Sequence, residues 1–203
     1  MLVGCTDINN LEYGDIINTV LSSNVDLSNQ YRTGYKYYLS RGLKVENSKE
    51  YNEVLISETT KYYLYIDIVS YYNKVNEEFN SNKEALYSEK INNNGKYGYI
   101  EIKKYNKDDN YLIEIMYNYA KIEVIVSSNA IKTTLFNAIT ILSSITYNDD
   151  IIANFMGENV LEFNEVEINI FETKKTDSNE LKYYEEYGTY EEENIVPDTD
   201  VIR

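Results

Sequence analysis

The sequence predicts an α+β fold, an antiparallel sheet flanked by helices, and three stretches carry that prediction. Residues 96–126 hold three apolar-polar alternating runs, at 96–104, 111–117 and 119–126, separated by turn residues. Residues 130–145 repeat apolar side chains at helical spacing: Ile131, Leu135, Ala138, Ile139, Leu142 and Ile145. Residues 62–72 are largely β-branched and aromatic and read as a long strand.

The remaining elements follow in order. Residues 11–23 form a short helix with Ile16, Ile17, Val20 and Leu21 on one face, and Asn24 and Asp26 end it. Residues 35–39 and 43–46 are strands around a turn at Ser40-Arg41-Gly42, where Gly suits a positive φ. Asp67, inside the aromatic run, needs solvent or a partner. Residues 74–88 read as a helix with Val75, Phe79 and Leu86 along its stripe.

In the meander, residues 106–110 supply the first turn. Asn118 pivots the second, since Asn tolerates left-handed dihedrals. Lys121 and Glu123 share one face of the last strand; Ala120, Ile122, Val124 and Val126 share the other. Ser128 or Asn129 caps the long helix, whose stripe packs on the meander's apolar face. A second short helix runs 149–156 and a strand 165–172.

Composition bounds the organisation. The chain has 203 residues with 43% hydrophobic content, enough for one domain with a sizeable core. Residues 1–10 read as a tether, 11–184 as a single globular domain, and 185–203 as an acidic tail expected to be disordered. No apolar run approaches the ~20 residues that cross a bilayer. Against 19 basic residues stand 34 acidic ones, a net charge of −15. Nucleic acid, which needs a cationic face, is therefore excluded as a partner. An anionic membrane surface repels the chain as well. The 23 tyrosines, with abundant Asn, Ile and Lys, match A/T-rich codons, so their number says little about mechanism.

What is missing excludes most catalysis. The chain has no His, which removes Ser-His-Asp and Cys-His catalysis and His-ligated metals. One Cys removes internal disulfides, CxxC redox pairs and Cys-based zinc sites. No phosphate-cradling glycine motif occurs. No catalytic residue, cofactor or metal is expected, and the chain is read as a non-enzyme. The residual enzymatic alternative is a carboxylate-dependent hydrolase using Asp67, Glu101 or Glu114. It requires two carboxylates about 5 to 9.5 Å apart in a cleft. A calcium site in the tail, through Glu191, Glu192, Glu193, Asp198 and Asp200, lacks the preorganised oxygens calcium requires and reads instead as a solvated charge run.

One thiol stands out. Leu2-Val3-Gly4-Cys5 resembles the lipobox of bacterial lipoproteins. The resemblance implies that Cys5 is acylated and becomes the first residue of the mature chain, with most of the leader lying outside this sequence. Two or three acyl chains anchor stably where one is marginal. The implied partners are a lipid bilayer, through acylated Cys5, and an unknown protein or cell-envelope component. The implied location is the extracytoplasmic face of the cell membrane. A glycan- or cell-wall-binding alternative rests on tyrosines that can stack on sugars, chiefly Tyr35, Tyr37, Tyr63 and Tyr65, with Tyr38, Tyr62, Tyr71 and Tyr72 nearby. The competing reading places those rings at half-buried sheet positions.

Gly34-Tyr35-Lys36-Tyr37-Tyr38-Leu39-Ser40-Arg41-Gly42-Leu43-Lys44-Val45 resembles the opening hairpin of PsbP-like and DcrB-like domains. The later meander, and the helix ending Leu142-Ser143-Ser144-Ile145, fit the same order over residues 31–147. Ser40 and Leu43 stand where that family favours Pro and Trp. The resemblance implies an α/β/α sandwich around an antiparallel sheet and a non-catalytic binding or assembly role. It carries over no functional residues.

Overall fold

The computed structural model describes residues 7–23, 26–106 and 108–159. In chain order its elements are α1 (Tyr13–Ser22), β1 (Gln30–Arg32), β2 (Tyr35–Tyr37), β3 (Lys44–Lys49), β4 (Asn52–Ser57), β5 (Thr60–Ile66), α2 (Ile68–Asn73), β6 (Tyr87–Asn93), β7 (Lys96–Lys104), β8 (Asn110–Tyr117), β9 (Ala120–Ser127), α3 (Ile131–Ser143), β10 (Thr146–Tyr147) and α4 (Asp149–Asn159). The fold is α+β with helices flanking an antiparallel sheet. Seven strands form that sheet in the order β3-β4-β5-β9-β8-β7-β6, and β1-β2-β10 form a separate three-stranded sheet. Cys5, the tail 185–203 and the strand expected at 165–172 lie outside the described residues.

Tight turns set the register of the large sheet. Asn94-Gly95 and Asn118-Tyr119 each place two positive φ angles between paired strands, at 52° and 77°, and at 52° and 62°. This geometry matches the right-handed twist of the flanking strands. Gly98 in β7 faces the backbone of β8 so closely that a Cβ there would overlap the Met116 carbonyl.

Along β9, Ala120, Ile122, Val124 and Val126 turn to one face of the sheet, as their alternation predicts. They meet Leu135, Ala138, Ile139 and Leu142 of α3, all fully buried. Each Leu or Ile so buried contributes about 1.5–3 kcal/mol. Beside α3, α1 buries Ile16, Ile17, Val20 and Leu21 in the same core.

Several local expectations are corrected by tertiary context. The strand expected over 62–72 ends at Ile66, because Asp67 accepts a hydrogen bond from the Ser70 N–H and caps α2. Lys74, at φ 55°, then closes that helix in the left-handed conformation. No helix forms over 74–88. Val75 and Leu86, which were to line its stripe, are 57% and 51% exposed, so the segment has no apolar face to bury. Phe79 alone stacks, on Tyr99, with ring centroids 4.2 Å apart.

Nor do the strands at 35–39 and 43–46 pair with each other. The chain changes sheets at Ser40-Arg41-Gly42, so β2 pairs with β1 and β10 whereas β3 pairs with β4. Finally, neither Ser128 nor Asn129 caps α3. Both lie in a 3-10 turn over Ser128–Ala130, where Ser128 donates to the Asp109 carboxylate instead.

Candidate functional site

The small sheet positions its tyrosines by alternation. Tyr35 and Tyr37 of β2 point the same way, toward the large sheet, and are 3% and 0% exposed. Their hydroxyls donate to Glu53 of β4 at 2.8 and 2.9 Å, and Arg32 Nη2 reaches the same carboxylate at 2.6 Å. Glu53 alternates with Leu55 on the helix-covered face, so a carboxylate enters the core with three donors around it. Buried charge persists only when so satisfied. Burial, then the Glu53 charge, raises both phenols far above their ordinary value. This network is a structural clamp between the two sheets.

On the opposite face, Glu101, Glu114 and Glu123 lie side by side in register across β7, β8 and β9. The hydrolase alternative had singled out the first two; Glu123 joins them only because the strands align. Each has a neighbour of complementary chemistry. Lys103 pairs with Glu101 at 3.0 Å, the Tyr99 hydroxyl donates to Glu114 at 2.7 Å, and Lys121 pairs with Glu123 at 3.1 Å. Glu114 and Glu123 are buried. None of the three lines the clefts described below. Asp67, the third carboxylate of that alternative, is committed to capping α2, and desolvation raises its pKa. Among the described residues no group of three or more His, Cys, Asp or Glu is placed to hold a metal ion.

The four tyrosines singled out for an aromatic surface do not form one. Tyr35 and Tyr37 face the core, and Tyr65 is buried and Tyr63 half-buried on the other face of the large sheet. Of their neighbours, Tyr62 is also buried. The hydroxyl ends of Tyr35 and Tyr37 are occupied by Glu53, which explains why these rings point inward.

The concave surfaces lie elsewhere, and two of them straddle β6. On the helix side, a cleft of about 170 Å³ opens between α1 and β6, with Ile17, Leu21, Ile91 and Ile100 in its walls. On the other side, a cleft of about 560 Å³ separates β6 and β7 from residues 76–80, with Glu77, Glu78, Asn80, Asn92 and Tyr97 around it. A third, of about 450 Å³, sits by Tyr63 and Ile125 at the far end of the sheet. β6 itself had no place in the sequence reading, although Asn94-Gly95 is a strong hairpin signal for it.

Comparison with protein-family models and with curated proteins gives no match. Among the described residues no helix is long and apolar enough to cross a membrane.

Proposed function

We propose that this chain is a lipid-anchored, extracytoplasmic binding or assembly module, acylated on Cys5 and without catalysis of its own. The observation that carries the reading is the sole thiol of the chain, placed directly after Leu2-Val3-Gly4. A net charge of −15 works against adsorption to an anionic bilayer, so attachment requires a covalent lipid. The non-catalytic part is supported by the buried acids. Glu53 is held by three donors and Asp67 by a helix cap, both structural duties. The binding role implied by the PsbP-like resemblance belongs to the same proposal.

The domain starts close behind the thiol. Asp7 caps a 3-10 turn at Ile8–Asn10, and Lys132 of α3 donates to the Asn9 carbonyl at 2.8 Å. An acyl group on Cys5 would therefore hold the domain close against the bilayer, with α1 and α3 near it.

Intact mass of the protein from the membrane fraction of its own cell tests the reading. The expected species begins at a diacylglyceryl-modified Cys5, and Cys5→Ser moves the protein to the soluble fraction. A soluble, unacylated protein still carrying Met1 overturns the anchor.

A further inference from the structure

The two edges of the large sheet are built differently. β3 is blunted: Lys44 and Lys49 bound it, and its pairing with β4 slips between Val45 and Asn47. A bulge and edge lysines are the usual means of preventing further strand pairing. β6, at the other edge, keeps seven consecutive register pairs with β7 and contains no Pro. Among the described residues no strand pairs with its outer side.

A cleft opens on each face of this regular edge. Lys90, Ile91 and Asn92 line both, so both reach the strand from opposite sides. Side chains of a strand alternate between faces. A strand added alongside β6 would thus send alternate residues into the two clefts in turn. Such edge addition takes affinity from main-chain hydrogen bonds and specificity from the pockets for alternate side chains.

The clefts differ in chemistry. The one beside α1, at about 170 Å³, has aliphatic walls from Ile17, Leu21, Ile91 and Ile100. A cavity of ~150 Å³ is enough for a group the size of benzene. It suits one branched aliphatic side chain. The larger cleft carries Glu77 and Glu78 against Lys90, with the ring of Tyr97 half open to solvent. Two carboxylates and an aromatic face suit a long basic side chain, and the net charge of −15 draws a basic segment toward it.

We propose that β6 is a docking edge for an extended peptide segment of a partner protein, one that alternates basic and aliphatic residues and adds as an eighth strand. Its basic side chains lie by Glu77 and Glu78, and its aliphatic ones enter the cleft under α1. The inference rests on the binding-module reading but not on the anchor. The peptide assay below is done in solution and acylation is read by mass, so the two fail separately.

The test uses the full chain in solution and a seven-residue capped peptide alternating Lys and Val, matched to β6 in length. Two control peptides replace every Lys by Glu, or the central Val by Pro. The expected result is binding of the Lys/Val peptide with a Kd at or below about 1 mM, with slowed amide exchange along β6. Neither control binds. Glu78→Lys, at an exposed position, weakens the Lys/Val peptide about tenfold without changing the unfolding midpoint. Equal binding of the Pro peptide, which keeps the charge but cannot pair, reduces the effect to electrostatic attraction and overturns the proposal. So do equal binding of the Glu peptide, protection at β3 instead of β6, or no binding at all. Concentration-dependent protection of β6 without peptide assigns the edge to a second copy and overturns it too.

Discussion

Glu53→Ala would release the clamp between the two sheets. The carboxylate accepts from Tyr35, Tyr37 and Arg32, and its side chain is wholly buried. Removing it strands two tyrosine hydroxyls in the core, each costing about 1–3 kcal/mol. Arg32 keeps 23% of its side chain in solvent, so its charge rehydrates in part and adds only about 1 kcal/mol. The total is about 4 kcal/mol, within the ~3–5 kcal/mol typical of breaking a buried pair by removing one partner. For a chain of this size that is a fall in Tm of about 8–16 °C. Glu53→Gln retains an acceptor and should cost about half as much. Urea unfolding of Glu53→Ala, Tyr37→Phe and the double mutant measures the network directly. Tyr37→Phe should cost about 1 kcal/mol alone and much less once Glu53 is absent, a coupling of at least ~0.5 kcal/mol. A Glu53→Ala protein within about 1 kcal/mol of wild type, or costs that simply add, would refute the clamp.

Alkali should weaken the fold. Burial, reinforced by neighbouring carboxylates, raises the phenols of Tyr35, Tyr37 and Tyr99 far above their ordinary value. The unfolded chain releases those protons first, so their contribution is complete below about pH 10 and is lost above it, at about 4 kcal/mol per pH unit for three phenols. A urea midpoint that stays flat from about pH 9 to about pH 11 contradicts this. Desolvation raises the Asp67 carboxyl, so its contribution is complete below about pH 4 and falls as pH rises. Asp67→Asn keeps a capping acceptor and should match or exceed wild-type stability at neutral pH, whereas Asp67→Ala loses about 1 kcal/mol; denaturant midpoints distinguish the two. Gly98→Ala drives a methyl into the Met116 carbonyl and should cost about 2–4 kcal/mol in thermal unfolding, and an unchanged Tm would show that β7 and β8 can part.

Much of the candidate docking edge was written locally but outweighed by other signals. Asn94-Gly95 marks a hairpin, yet Val75, Phe79 and Leu86 drew the reading toward a helix that would have absorbed the start of β6. Those apolar residues mislead because helical spacing does not reveal whether a partner surface exists. Only Phe79 finds one, on Tyr99. The tyrosines of β2 mislead in the other direction. Their alternation correctly groups Tyr35 with Tyr37, but which face is the core depends on Glu53, 18 and 16 residues further along.

The meander, α1, α3 and the turn at Asn118 follow from sequence alone, because each rests on a short-range period or a single residue's tolerance of positive φ. Three other features are decided only when distant strands meet. These are the change of sheet at Ser40-Arg41-Gly42, the descent of Glu53 into the core, and the alignment of Glu101, Glu114 and Glu123. Periodicity assigns a side chain to one of two faces. Strand order and burial, which are properties of the assembled sheet, settle what each face will touch.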